Sequence, residues 1–123
     1  MSVLVFGQTG QVARALGRAA SVTALGRGDA DLTDPDSCAE QIRRHAPHVV
    51  INAAAYTAVD RAEEQEALAH AINADAPGAM ARTCTNLGIP FLHISTDYVF
   101  AGTGQGAWPP DAAMGPQNAY GRS

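Results

Sequence analysis

The 123-residue sequence has few charges, few cysteines and no long apolar run, and each shortage excludes a class of protein. No stretch approaches the roughly 20 apolar residues that a membrane-spanning helix needs. Eight basic residues against 12 acidic ones, with no basic run, argue against nucleic acid or an anionic membrane as the main partner. The N-terminus lacks the features of a signal peptide, which predicts a cytoplasmic protein. Cys38 and Cys84 lie too far apart for a metal motif or a disulfide framework, so the residues predict no metal site.

Short apolar runs alternate with helical patterns along the chain. Four runs typical of strands buried on both faces occur at residues 3–6, 22–25, 49–51 and 91–95. Helical patterns lie between them, at residues 11–20, after Asp34-Pro35, and from about 60 to 87. The last pattern predicts two helices or one kinked helix, with the break at Asp75-Ala76-Pro77. This alternation predicts an α/β fold, a Rossmann-type doubly wound parallel sheet with flanking helices, of which about four strands are present.

A glycine-rich turn joins the first predicted strand to the first predicted helix. Gly7 permits the tight turn, Gly10 lets the backbone approach a pyrophosphate, and Ala13 stands where a third glycine often packs the helix. The helix start beyond offers free N–H groups and the positive end of a dipole. This position directly after a buried strand predicts a dinucleotide phosphate site, with an ordinary strand-to-helix turn as the alternative.

Arg27 stands after the second predicted strand, where NAD-binding chains carry an acidic residue for the ribose 2′-hydroxyl. An arginine there can bind a 2′-phosphate, so the sequence favours NADPH over NADH. A solvated surface arginine is the open alternative. Asp31 and Leu32 follow in a loop that can lie beside the adenine, with a plain turn residue as the alternative for Asp31.

Small and hydroxyl-bearing residues end the third and fourth predicted strands. Ala53, Ala54 and Ala55 allow a cofactor to lie against the backbone at the carboxyl edge of the sheet, where open α/β sheets bind ligands. Ser95 and Thr96 offer hydroxyls that can hydrogen-bond a substrate carbonyl oxygen as charge develops on it. A helix-packed strand end and a plain turn are the respective alternatives.

Tyr120 is the candidate proton donor. Hydride addition to a ketone leaves an oxygen that needs a proton, and a phenol supplies one when its pKa falls toward neutrality. A lysine four residues later would lower that pKa and hold the cofactor ribose, but its place lies one position beyond Ser123. Without this context, Tyr120 would be interpreted as an aromatic residue in a loop, with no role in a reaction.

Four motifs, ordered and correctly spaced from Met1 to Ser123, resemble one enzyme family. They are Gly-Gln-Thr-Gly-Gln-Val at 7–12, Val-Ile-Asn-Ala-Ala-Ala-Tyr-Thr-Ala-Val-Asp at 50–60, Ile-Ser-Thr-Asp-Tyr-Val-Phe at 94–100 and Asn-Ala-Tyr-Gly-Arg-Ser at 118–123. The sequence resembles the dTDP-4-dehydrorhamnose reductases, which belong to the extended short-chain dehydrogenase/reductases. The resemblance implies reduction of the 4-keto group of dTDP-6-deoxy-L-lyxo-4-hexulose, a dTDP-4-keto-6-deoxy sugar, to give dTDP-L-rhamnose with NADPH or NADH.

The same resemblance implies roles for residues at matching positions. Cofactor contacts are implied for a set of loop and strand-end residues: Gly10, Gln11, Val12, Asp31, Leu32, Ala53, Ala54, Ala55 and Tyr56. Thr96 and Asp97 would meet the substrate, and Tyr120 would be the catalytic acid. Some members of the family bind Mg²⁺ at a dimer contact, so Mg²⁺ and a homodimer are further expectations for a full-length form.

Two parts of the family pattern are absent. The catalytic lysine falls beyond the last residue, and no C-terminal substrate domain follows to hold the deoxythymidine diphosphate. We therefore expect residues 1–123 to form an incomplete NAD(P)-binding domain, inactive alone, that is the N-terminal part of a longer reductase.

Other interpretations stay open. One is a non-catalytic cofactor-binding protein, because the same family also resembles the regulatory subunit of methionine adenosyltransferase. Another is a degenerate product with an unpaired strand edge. Several side chains are expected to be structural rather than functional, with His93 as a packed core histidine and Glu63, Glu64 and Glu66 as a solvated helix face.

Overall fold

The computed structural model describes residues 1–123 as a parallel four-stranded sheet flanked by helices. The strands are β1 (Val3–Phe6), β2 (Thr23–Leu25), β3 (Val49–Asn52) and β4 (Phe91–His93), in the spatial order β2-β1-β3-β4. Phe6 pairs with Leu25 on one side and Asn52 on the other, and Asn52 pairs with His93. The four strands therefore end level, at one edge of the sheet. The predicted α/β fold is confirmed, and β4 ends two residues earlier than predicted.

Six helices connect and follow the strands. They are α1 (Gln11–Ala19), α2 (Pro35–His45), α3 (Val59–Ala62), α4 (Glu66–His70), α5 (Ala76–Leu87) and α6 (Ala119–Arg122). The predicted start of α2 is confirmed, since the Asp34 carboxylate accepts hydrogen bonds from the N–H groups of Asp36 and Ser37. The helix ends at Ala46 in a left-handed conformation. None of the helices is long and apolar enough to cross a membrane.

At Asp75-Ala76-Pro77 the structure has a continuous helical segment rather than two separate helices, and α5 begins at Ala76. The chain stays helical from α4 into α5 through a wide π-helical turn, Ala71–Asp75, and Pro77 lies in the first turn of α5. A proline lacks an N–H and its ring crowds the carbonyl four residues earlier, so a widened turn before it relieves both problems. The interruption instead falls between α3 and α4, at residues 63–65.

Most of the core lies on one face of the sheet, under α2 and α5. It combines residues from the strands with residues from these two helices: Leu4, Phe6, Leu25, Val50, Cys38, Ile42, Ala76, Met80 and Cys84. The opposite face is less covered. In α1 only Ala13 is buried, although apolar residues recur there at helical spacing. Leu92 in the edge strand β4 is 53% exposed, and Ile94 just after this strand is 48% exposed. This edge of the sheet therefore presents apolar side chains to solvent.

Candidate functional site

A cavity of about 880 Å³ opens at the edge where the strands end. In the order β2-β1-β3-β4 the chain proceeds from β1 to one side and later returns to the other side at β3, and the crevice at this switch in strand order is the place where open α/β sheets bind ligands. The structure brings most of the predicted site residues to its wall: Gly7, Gly10, Gln11, Val12, Arg27, Leu32, Ala53, Ala54, Ala55, Thr96 and Tyr120. Asp31, Tyr56 and Asp97 are not among the lining residues.

Gly7 has a backbone conformation that only glycine adopts readily, with φ of 113°. Its N–H donates to the Leu25 carbonyl at 2.9 Å, and a Cβ at this position would lie 3.1 Å from the carbonyl carbon and oxygen of Ala53. The turn therefore runs close against the end of β3. This close approach leaves no room for a side chain at position 7, and Gly7 and Gly10 form a glycine cradle in the cavity wall.

The N-terminus of α1 opens onto this cradle. Gly10 is the N-cap residue and supplies no side-chain hydrogen bond, and the first turn carries no acidic residue. The first N–H groups of an α-helix have no acceptor within the helix, so here they stay available to an anion. Gln11 and Val12 of this turn line the cavity. The cradle and the helix end together fit a pyrophosphate.

The loop after β2 is held in place by its own hydrogen bonds. The Asp29 carboxylate accepts from the Gly26 N–H at 2.9 Å, and the Gln41 amide donates to the Asp29 carbonyl at 2.9 Å. This arrangement presents Arg27 at the cavity wall with its side chain exposed. A cation at this wall fits a second phosphate group.

Asp31 has the contacts of a turn residue. Its carboxylate accepts hydrogen bonds from the Thr33 hydroxyl at 2.7 Å and from the Thr33 N–H at 2.8 Å. These bonds, with a smaller contribution from the charge of Arg27, hold the pKa of Asp31 below its usual value. A contact between Asp31 and adenine stays a prediction, as does the one for Leu32, which lines the cavity.

Asn52 and His93 form a cross-strand pair that the sequence did not indicate. The Asn52 Oδ1 accepts from the Ala54 N–H at 3.1 Å, and its Nδ2 lies 3.1 Å from the His93 Nδ1. Because Oδ1 is already engaged, Nδ2 donates and the His93 Nδ1 accepts, which requires a neutral imidazole. Partial desolvation by the surrounding protein lowers the pKa of His93 and favours that form. His93 was expected in the core, but it is exposed and lines the cavity.

Tyr56 faces the helices rather than the cavity. Its hydroxyl donates to the Gln65 Oε1 at 2.9 Å, and its ring packs beside a small cluster that includes Ala119. The Tyr56 backbone is held by Asn73, whose amide accepts from the Tyr56 N–H at 2.8 Å and donates to the Tyr56 carbonyl at 2.9 Å. Asn73 lies in the π-helical turn and also lines the cavity. A contact between Tyr56 and the cofactor therefore stays a prediction.

Thr96 and Tyr120 line the same cavity although 24 positions separate them. Thr96 begins a 3-10 turn, Asp97–Val99, and its Oγ1 accepts from the Tyr98 N–H at 3.3 Å. The ring of Tyr98 meets the ring of Tyr120 edge-on, with 5.3 Å between the centroids. This contact places the 3-10 turn beside α6. Asp97 is exposed, and its Oδ1 accepts from the Thr96 Oγ1 at 3.5 Å.

Two acidic residues fasten α6 to the preceding helices. The Glu63 Oε1 accepts from the Ala119 N–H at 2.8 Å, and Glu66 receives two hydrogen bonds from Arg122, at 2.7 and 3.1 Å. The Arg122 guanidinium lowers the pKa of Glu66. Glu63 and Glu66 are exposed, as predicted, but they also bond a helix 56 residues later, which a local pattern cannot show.

The residues present do not fit a metal site. No group of three or more His, Cys, Asp or Glu residues is arranged to hold a metal ion. Burial raises the pKa of Cys38 to about 11, so this thiol stays protonated and is a poor ligand or nucleophile at neutral pH.

Comparisons with known proteins point to one family. A family profile described as the RmlD substrate binding domain matches residues 1–123. The chain is 44% identical over 123 residues to a dTDP-4-dehydrorhamnose reductase of Streptomyces griseus, in an alignment that covers 96% of this chain and 40% of the relative.

Solved structures agree with the sequence match. A dTDP-4-dehydrorhamnose reductase of Clostridium acetobutylicum superposes with a TM-score of 0.91 at 35% identity, over 99% of this chain and 45% of that one. The corresponding enzyme of Bacillus anthracis, in complex with NADP, gives a TM-score of 0.92 at 29% identity, over 98% and 45%. The chain spans less than half the length of these relatives.

Proposed function

The chain belongs to the RmlD substrate-binding-domain family, and from this premise we propose that it forms the cofactor-binding part of a dTDP-4-dehydrorhamnose reductase. The observation that carries the proposal is that a glycine cradle, Thr96 and Tyr120 line one cavity. The family's description refers to substrate binding, whereas the cradle is typical of a dinucleotide site. The proposal assigns both the cofactor and the substrate carbonyl to this cavity.

A nicotinamide dinucleotide fits the shape and polarity of the cleft. Gly7 and Gly10 with the first N–H groups of α1 would hold its pyrophosphate, and Arg27 would hold a ribose 2′-phosphate. Ala53, Ala54 and Ala55 would let it lie against the end of β3. When bound, the reduced cofactor supplies the hydride. The relative that was solved with NADP supports this assignment.

The chain's own residues would handle the oxygen and its proton. We assign the Thr96 Oγ1 to donate a hydrogen bond to the 4-keto oxygen of the sugar, where negative charge develops. The Tyr120 hydroxyl would donate to the same oxygen and transfer its proton as the alcohol forms. Asp97 stands next to Thr96 and would contact the sugar beside it.

We propose that residues 1–123 are an incomplete NAD(P)-binding domain and that the rest of the reductase supplies the lysine and the nucleotide-sugar site. A cytoplasmic location and a homodimer of the full-length protein stay predictions. Mg²⁺ is not proposed for this part of the protein, because no cluster of ligands in it fits a metal.

An assay of the full-length protein tests the proposal. With NADPH and an enzymatically prepared dTDP-4-keto-6-deoxy sugar, we expect oxidation of NADPH that depends on the sugar and yields dTDP-rhamnose. dTDP-glucose, which has no keto group, is the control and should support none. Binding of NADPH without turnover of any keto sugar would instead favour the non-catalytic interpretation.

Arg27→Ala tests the choice of cofactor. A charge-assisted hydrogen bond to a phosphate contributes enough that its loss is expected to raise the Kd for NADPH by about tenfold or more. NADH has no 2′-phosphate, so its Kd should stay within about twofold. Fluorescence titration of both cofactors measures the difference. Arg18→Ala, an exposed arginine in the last turn of α1, is the matched control. Equal losses for NADPH and NADH would contradict a 2′-phosphate site.

A further inference from the structure

The helix that carries Tyr120 is too short to be stable by itself. α6 has four residues, whereas an isolated helix in water is marginal below about 12–15 residues. Its position in the cavity wall must therefore come from its partners. The Tyr98 ring contacts one side of it, and two carboxylates from the segment around α3 and α4 contact the other.

Glu63 supplies an acceptor that α6 cannot supply for itself. Ala119 begins the helix and is fully buried, so its N–H has neither an intrahelical partner nor access to water. The Asn118 side chain, the N-cap, is occupied by the Gly121 N–H at 2.8 Å. The Glu63 Oε1 at 2.8 Å is the acceptor that the Ala119 N–H has in this structure.

The second carboxylate contact, between Glu66 and Arg122, should stabilise α6 less than the first. The side chains of Arg122 and Glu66 are 47% and 49% exposed, and exposed ion pairs contribute little to stability. A buried N–H left without an acceptor, in contrast, loses its full hydration and gains nothing in return. Loss of the Glu63 carboxylate should therefore disturb α6 more than loss of Glu66.

We propose that Glu63 is a positioning residue, which holds the start of α6 so that Tyr120 faces the cavity. The inference rests on the proposed function, because it assigns Glu63 to the same reaction. Glu63 does not line the cavity, and its side-chain hydrogen bond goes to Ala119, so we expect cofactor binding not to depend on it. Its effect should fall on the turnover step.

The test uses Glu63→Ala in the full-length protein. We expect kcat for the keto sugar to fall by about tenfold, with the Kd for NADPH within about threefold. Amide hydrogen exchange at Ala119 should become faster. Glu63→Gln keeps a side-chain oxygen acceptor and should restore most of the activity and protection. Glu64→Ala removes a neighbouring carboxylate that has no side-chain hydrogen bond, and it should change nothing.

Each result decides a different point. Unchanged kcat and unchanged exchange in Glu63→Ala would overturn the positioning role, and so would a Glu63→Gln variant as impaired as Glu63→Ala. If Glu63→Ala fails to fold, the comparison of Glu63→Gln with the parent still decides whether a neutral acceptor suffices. If the parent protein reduces no keto sugar, the proposed function fails, while the exchange measurement still tests the contact.

Discussion

Replacing Tyr120 with phenylalanine is expected to lower kcat for the 4-keto sugar by about 10²–10⁴-fold in the full-length protein. The substitution keeps the ring and its edge-on contact with Tyr98, and it removes only the hydroxyl that would give up its proton. The glycine cradle is unchanged, so the Kd for NADPH should stay within about threefold. Steady-state kinetics and fluorescence titration measure the two quantities.

Tyr98→Phe is the matched control for this prediction. Tyr98 is the other member of the same ring pair and is exposed. Its hydroxyl makes no hydrogen bond within the chain. Removing that hydroxyl should leave kcat within about twofold. A Tyr120→Phe variant that kept its turnover would remove Tyr120 from the role of acid and would leave Thr96 or a bound water as the donor.

The arrangement of strands and helices could be predicted because it depends on local patterns. A short apolar run followed by Gly7 is sufficient to indicate a buried strand and a tight turn, and Asp34 before Pro35 indicates the start of a helix. These signals lie within a few residues of the structure they determine. The π-helical turn before Pro77 could not be predicted in this way, because proline permits either a break or a widened turn.

The candidate site likewise has a part that could be predicted from the sequence and a part that could not. The cradle follows from a motif of neighbouring residues, and the structure brings it to the cavity. The other contacts of the site join distant parts of the chain. Asn52 bonds His93, which lies 41 positions later, and Glu63 bonds Ala119, which lies 56 positions later. No spacing rule indicates such pairs in a single sequence. The exposure of Glu63 and Glu66 could be predicted, but their bonds to α6 could not.

The cavity wall is consequently built in two ways. On one side it consists of strand ends and the turn at Gly7, which the sheet hydrogen bonds hold in register. On the other side it consists of α6 and the 3-10 turn, which are held by side chains and by close contact. Cofactor binding depends mainly on the first side and proton transfer on the second, so single substitutions should separate the two.

Gly121→Ala should show this separation most sharply. Gly121 is buried, and a Cβ there would collide with the carbonyl oxygen of Tyr98 and lie 3.0 Å from the Pro116 Cβ. The obstacle is backbone rather than a flexible side chain, so α6 must move away from the 3-10 turn. A displacement of about 1 Å can reduce turnover about 10²-fold, and we expect a loss of at least that size with the Kd for NADPH within about threefold.

Gly17→Ala is the control, because nothing lies within 4 Å of a Cβ built at this position in α1. Alanine is the better helix former, so this variant should be about 0.5–1 kcal/mol more stable and equally active. Thermal unfolding and steady-state kinetics distinguish the two glycines. A Gly121→Ala variant with kcat close to that of the parent would mean that proton transfer tolerates a gap between α6 and the 3-10 turn. The close approach of the Tyr120 helix to Thr96 would then not be what the reaction requires.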